Sequence, residues 1–410
     1  MTGPALYRRQ VTTALSLLAL PGCAATPPMI ETAGGFEAER LRADVSRYAG
    51  FGWHRSGWPG DVSTTDWVGE RLSSLGYDVV FDAIELETLD RAEGSAQIDG
   101  GALDVALQWT PPAGQSRIQA PLVRADALNA VAGAIALAPD LAPVGAYWSN
   151  QGDDTVNRLA GAGARAMIVC VNAPNDSLFL YNRALRPRLP IPVLVASRLR
   201  LPQLLAAASS GLSCTVTLDV SSATLSARSI IASVGSGGQR IVVSTPLTGW
   251  FQCGAERGAG VALFLALAQH LRRLETPTTL IATTGHEIGH LGMDRAMQAF
   301  APRPDQVRTW VHLGSSIAAR GGFARTPSVF ATSNLLGVAR DEFSRIGMSV
   351  AEARSATPGE TGTVIAAGQS RVIGFAASNP DFHTPLDDGR ATDISLLSQV
   401  GATLTAALGV

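Results

Sequence analysis

Apolar and polar positions along this chain follow two periodicities, and the change from one to the other divides it. Residues 36–48 and 61–75 carry apolar side chains at helical spacing, and the glycine- and tryptophan-rich run 50–60 breaks the pattern between them. Ser63 or Thr64 would cap the second helix, and Gly76-Tyr77-Asp78-Val79-Val80-Phe81 reads as a turn into a strand. From residue 96 to 224 the texture changes to short strands and many prolines. Strands are expected at 132–137, 166–171 and 191–195, and helices at 155–163 and 201–208. Few charged groups converge there, so this stretch suits a binding or lid module better than a catalytic one. From residue 227 strand and helix alternate again, with strands at 241–244, 278–284 and 309–313 and helices at 258–274 and 293–300. That order predicts an α/β fold whose mixed, largely parallel sheet is flanked by helices.

In an open α/β sheet, ligands gather beyond the carboxyl ends of the strands. Two loops there carry groups that an apolar core would not want. The first follows residue 244 and contains Trp250, Phe251, Cys253, Glu256 and Arg257; the second is Gly285-His286-Glu287-Ile288-Gly289-His290. Taken bare, His286-Glu287-Ile288-Gly289-His290 is the zincin pattern, two histidines one helical turn apart with a glutamate base. Its context argues against that reading. Met293 and Ala296 stand where the longer metalloprotease form needs Gly and His, and no Glu occurs between Glu287 and Glu342. Gly285 and Gly289 also suit a loop rather than a helix interior.

A metal-free reading joins Cys253 with His286 or His383 and Glu287 as thiol, imidazole and carboxylate. Trp250 and Phe251, with Cys253, would line an apolar substrate pocket or belong to the core. Structural roles compete at each position: Glu256 favours the amino end of a helix dipole, and His286 and His290 suit hydrogen-bonded loop caps. His270 and His312 read as structural, and His54 as either a substrate rim or part of a packed aromatic loop.

Composition narrows the partners. The 410 residues suggest two to three domains, and with 46% hydrophobic and 16% charged residues at net charge -2, nothing points to nucleic acid. All 32 basic residues are arginine. The four cysteines, Cys23, Cys170, Cys214 and Cys253, lack metal-ligand spacing, and a disulfide among the last three is left open. Tyr7-Arg8-Arg9-Gln10, an apolar run and Pro21-Gly22-Cys23 have the three regions of an export signal; they resemble a twin-arginine leader with a lipoprotein box at Cys23. The expectation is a periplasmic protein or a lipoprotein anchored through Cys23.

The order of features resembles the zinc-dependent exopeptidase family, which includes bacterial leucyl aminopeptidases, glutamate carboxypeptidase and the transferrin receptor. Helix, glycine loop, helix and strand come first, then a proline-rich module, then strands ending in acidic loops, and finally Phe382-His383-Thr384-Pro385-Leu386-Asp387-Asp388. The resemblance covers nearly all of the mature chain. With the export signal read at 1–25, the resemblance implies an exopeptidase-like α/β domain built from 33–95 and 225–410, and a β-rich protease-associated insert at 96–224. Its first motif, His-x-Asp, falls on Pro246-Leu247-Thr248, its bridging Asp on Glu256, and its Glu-Glu pair on His286-Glu287. The fourth ligand falls near Gly314, two residues after His312, and the last, His383, is kept.

The resemblance therefore implies a changed site. Glu256, Glu287 and His383 would hold one zinc ion with a place open to water, and His286 or Glu287 would handle protons in hydrolysis of a peptide or related amide bond. The alternative is a chain without zinc that kept the fold as a catalytically silent binding protein.

Overall fold

The computed structural model describes residues 35–126, 128–138, 147–148, 150–171, 175, 177–321 and 328–410. The expected export signal and Cys23 lie outside the described residues.

Two helices, α1 (Ala38–Gly50) and α2 (Pro59–Ser74), precede the 21-residue strand β1 (Asp78–Ile98). Neither Ser63 nor Thr64 caps α2, because the helix starts earlier, at Pro59. Proline at the first helical position has no amide to lose there and a φ already suited to a helix. The Thr64 hydroxyl instead meets His54 Nε2 at 2.9 Å. Short strands β2 (Gly101–Leu103) and β3 (Val105–Leu107) lead to β4 (Gly114–Arg124), β5 (Ile135–Ala138), α3 (Asn150–Gly161), β6 (Ala166–Val171), β7 (Val193–Ser197) and α4 (Leu201–Ser209). The 22-residue β8 (Ser213–Val234) brings the chain back. The remainder is β9 (Arg240–Pro246), α5 (Ala259–Arg273), β10 (Thr278–Thr283), α6 (Leu291–Ala299), β11 (Val307–Ser315), β12 (Val329–Ala331), α7 (Leu336–Ser344), β13 (Val350–Glu352), α8 (Glu360–Ala366), β14 (Val372–Ala376) and α9 (Ile394–Leu408).

The fold is mixed α/β, and its centre is the parallel group β10, β9, β11 and β14. Val243 of β9 lies opposite Leu280 on one side and Val311 on the other. Antiparallel β12 extends this group beyond β14, and β8 extends it beyond β10. Strands β4 to β7 form a second parallel set, with β3 antiparallel at its edge.

One ribbon joins the two sets. β1 and β8 pair from Asp78 opposite Ser233 to Ile98 opposite Cys214, with one register shift between Leu89 and Arg91. The last residues of β8 pair with β10 and its first with β4. The expected domain limits, Ala96 and Thr224, both lie within this ribbon. Its reach exceeds the strand expected near residues 79–81, because Glu85 and Glu87 alternate with Ile84 and Leu86 and mask the apolar signal. Period-two alternation of this kind marks a strand with one face covered.

α5 carries no acidic residue and is buried on nearly every side, with α1 and α9 packed against it. Each fully buried Val, Leu or Phe there contributes about 1.5–3 kcal/mol. Cys170, Cys214 and Cys253 are free and buried.

α1 is tied to the first candidate loop by Tyr48, whose hydroxyl donates to the Leu247 carbonyl at 2.8 Å and lies 3.3 Å from Cys253 Sγ. Tyr48→Phe leaves that buried carbonyl without its partner and is expected to lower stability by about 1–2 kcal/mol. Urea unfolding of the purified protein checks this; an unchanged midpoint would show that the bond holds nothing.

Candidate functional site

β9, β10, β11 and β14 run parallel, so the loops after them meet at one end of the sheet, where both candidate loops were expected to face. The β9 loop is stitched to the 50–60 segment by two backbone bonds, His54 N to Phe251 O at 2.8 Å and Gly249 N to His54 O at 3.1 Å. Cys253 takes a left-handed conformation at φ 36° and turns the chain into one π-helical turn, Gly254–Gly258, ahead of α5. A side chain at Gly254 would meet the Gly389 amide at 2.5 Å, so only glycine lets the closing loop come this near. From that loop, Asp387 accepts hydrogen bonds from the amides of Ala255 at 2.6 Å and Glu256 at 3.0 Å. These amides have no partner within the turn, and the carboxylate caps them from outside. Burial pushes Asp387 up to about 7.

The capped turn presents Glu256. Its Oε1 lies 2.8 Å from Arg257 Nη2 and 3.3 Å from His383 Nε2, and all three side chains are buried. Burial by itself would raise the Glu256 carboxyl, but Arg257 first and His383 second outweigh it and hold the group at about 2. Arg257 Nε donates to the Thr248 carbonyl at 3.1 Å. His383 Nδ1 donates to the Leu180 carbonyl at 2.7 Å, which fixes Nε2 toward Glu256. The imidazole is held between the rings of Phe382 at 4.2 Å and Phe179 at 5.1 Å.

A second acid, Glu360 at the start of α8, organises the histidines. His286 Nδ1 donates to its Oε1 at 2.9 Å, while Oε2 accepts from the Thr283 hydroxyl at 3.4 Å and faces His312 Nε2 at 3.9 Å. Burial, followed by Arg257, lowers His286 well below its ordinary range, so the ring is neutral with its proton on Nδ1. The sequence reading missed Glu360. Its only local signal, an acid in the first turn of a helix after Gly359, is that of an ordinary dipole partner.

Glu287 faces elsewhere. Its Oε1 accepts from the Ser56 amide at 2.8 Å and the Ser56 hydroxyl at 2.7 Å, and burial raises its carboxyl against those two bonds. Of the trio Glu256, Glu287 and His383, the structure thus brings two together and turns the third toward the 50–60 segment. Among the described residues no group of three or more His, Cys, Asp or Glu side chains is placed to hold a metal ion.

The changed motif positions have local reasons. Leu247 is packed in the core, and the Thr248 hydroxyl accepts from the His286 amide at 3.2 Å. At Gly314 a Cβ would lie 2.1 Å from the Phe375 carbonyl oxygen, so no acid fits there. The thiol arrangement is not assembled either: Cys253 is paired with Tyr48, and burial first, then Glu256, raises its thiol well above the ordinary range. A reactive cysteine needs the opposite shift. Trp250 and Phe251 are buried among apolar side chains that include Trp109 and Ile288, and Trp250 Nε1 donates to Asn182 Oδ1 at 2.9 Å. His290 Nε2 meets the Tyr147 hydroxyl at 2.8 Å. His54 is buried and stacked on Tyr48 at 3.8 Å, which makes it part of the packing rather than a rim.

Solved structures share this fold. The zinc aminopeptidase BSAP from Bacillus subtilis superimposes with a TM-score of 0.70 at 17% identity, covering 91% of this chain and 94% of that one. The chain has the zinc-exopeptidase fold. An aminopeptidase from Aneurinibacillus sp. strain AM-1 shares it at TM-score 0.67 and 17% identity over 91% of this chain and 93% of that one. Glutaminyl cyclase from Porphyromonas gingivalis gives a TM-score of 0.52 at 12% identity, covering 92% and 99%. No protein-family model and no curated protein matches the sequence. In this chain Glu256, onto which the resemblance places the bridging acid, is paired with Arg257. Among the described residues no helix is long and apolar enough to cross a membrane.

Two measurements check this description. Gly314→Asp, which restores an acid at the vacant motif position, should destabilise by more than about 3 kcal/mol, because the obstacle is backbone that cannot swing aside; a variant with native thermal stability would refute the clash. Asp61, whose carboxylate accepts from Gly57 N and Thr284 Oγ1, is pushed up to about 7, mainly by burial. Between pH 4 and 7 the unfolded chain has lost this proton while the folded one keeps it, so the group's contribution to stability falls as pH rises. Asp61→Asn should therefore gain on the parent across that window when melting temperatures are compared at each pH.

Proposed function

We propose that this chain is an exported exopeptidase-fold protein that binds a peptide or related amide ligand at the carboxyl ends of β9, β10, β11 and β14, without a zinc ion. The observation that carries this reading is the buried 2.8 Å contact between Glu256 and Arg257. The positive charge facing Glu256 is a guanidinium on the adjacent residue. A divalent ion bound to the same oxygen would stand against it, and like unit charges 4 Å apart at an effective dielectric of 20 repel by roughly 4 kcal/mol. That charge counts against zinc at this oxygen, although Glu256 Oε1 and Oε2 and His383 Nε2 are buried without hydrogen-bond partners. Residues 96–224 serve in this reading as a protease-associated module beside the cleft, and Cys23 as a lipid anchor outside the cytoplasm. No feature of the chain points to nucleic acid.

A one-zinc hydrolase is the second reading, and one arrangement favours it. Glu256 Oε1 and His383 Nε2 are 3.3 Å apart, a spacing that suits two ligands of one tetrahedral ion with bonds of about 2 Å. His383 is also oriented through Nδ1 by a carbonyl, as metal-binding imidazoles commonly are. That reading needs Arg257 to leave Glu256 and Glu287 to leave Ser56; Glu256, Glu287 and His383 would then be ligands and His286 the base.

Elemental mass spectrometry of the purified mature protein after zinc incubation separates the two. The binding reading expects no stoichiometric zinc. About one zinc per chain, lost in both Glu287→Ala and His383→Ala, would replace it with the hydrolase.

A further inference from the structure

Beside this cleft, four tryptophans surround one guanidinium. Arg55 Cζ lies 4.9 Å from the ring centre of Trp53, 4.7 Å from Trp58, 4.8 Å from Trp109 and 5.5 Å from Trp250. Arg55 is 5% exposed, and its Nε and Nη1 are buried without a hydrogen-bond partner. Two more buried donors in the same cluster are left over. Trp109 Nε1 has no acceptor, and Asn182, whose Oδ1 is taken by Trp250, leaves its Nδ2 without a well-formed hydrogen bond beside the Tyr147 side chain. The cage adjoins the candidate site through Trp250 on the β9 loop and through Ser56, the residue after Arg55, which binds Glu287.

Cation–π contact holds the charge of a guanidinium, but it does not satisfy its directional N–H groups. A buried N–H without an acceptor costs about 1–3 kcal/mol, and more when the group is charged. The only carboxylate in electrostatic reach noted for Arg55 is Glu287, and among the described residues the two form no ion pair. The surplus is therefore all of one kind: N–H donors around a fixed positive charge, walled by indole rings. The complementary ligand group is an anionic acceptor of modest size attached to something apolar.

We propose that the Arg55 cage recognises the free carboxylate of a peptide-like or acylated amino-acid ligand. The carboxylate oxygens accept from the Arg55 guanidinium, with Trp109 Nε1 and Asn182 Nδ2 as the neighbouring donors, and the ligand's apolar part lies against the indoles. Trp53 is the outward wall: the residue is 41% exposed, whereas Trp58 is anchored through Nε1 to the Leu89 carbonyl at 2.9 Å. This assignment names the ligand chemistry of the proposed binding cleft and rests on that reading.

The test uses the tryptophans as reporters. The full mature chain is titrated with N-acetyl-leucine and, separately, with its uncharged carboxamide while intrinsic fluorescence is followed. The expected result is a saturable change with the carboxylate and at least about tenfold weaker response to the carboxamide. Arg55→Gln should abolish it. Trp109→Phe, which keeps a ring but removes the N–H, should weaken it several-fold, and this variant carries the test if Arg55→Gln fails to fold by circular dichroism. Equal response to both probes, no response to either, or unchanged binding in both variants would overturn the carboxylate assignment. Failure of the binding reading itself shows separately, as stoichiometric zinc in the metal measurement.

Discussion

The buried pairing of Glu256 with Arg257 is the constraint to which the rest of the site is fitted. Taking two charges out of water is costly, and leaving either one alone there costs 3–5 kcal/mol or about that. The surroundings answer part of this requirement, while Glu256 Oε1 and Oε2, Arg257 Nη1 and His383 Nε2 stay buried without a hydrogen-bond partner. Asp387 caps the π-helical turn that presents the glutamate, the Thr248 carbonyl takes one guanidinium N–H, and His383 brings a second nitrogen to the shared oxygen. The turn needs Gly254 to let the closing loop approach, and the closing loop in turn supplies both Asp387 and His383.

Around that pair the other buried acids are kept apart. Glu360 serves His286 and His312, Glu287 serves Ser56, and Asp61 serves the Gly57 amide and the Thr284 hydroxyl. Each acid has its own local hydrogen-bond donors, and the carboxyls face different partners rather than one common point. This explains how a site so rich in carboxylates can be folded at one end of a sheet without a common point of convergence.

The sequence made the central architecture legible because β9, β10, β11 and α5 are long apolar segments bounded by turn residues, and their order permits few topologies. It was less informative about β1 and β8, where every second residue is polar. At the site, the two loops were readable from polar residues in apolar surroundings, and at Gly314 the Phe375 carbonyl leaves no room for a side chain. The partners of those loops were not readable. Arg257 lies next to Glu256 in sequence, yet only the π-helical turn folds the two side chains together. Glu360 stands 74 positions from His286, and nothing local distinguishes it from a residue placed for a helix dipole.

The β1–β8 ribbon has a mechanical meaning. A module joined to its neighbour by two flexible linkers can swing as a door, but here the two connections are hydrogen-bonded to each other along their whole length except at the shift between Leu89 and Arg91. The beam is stiff, and its one soft point sits where Leu89 also receives Trp58 Nε1. The 50–60 segment is thus pinned to the ribbon at the one place where its pairing breaks register.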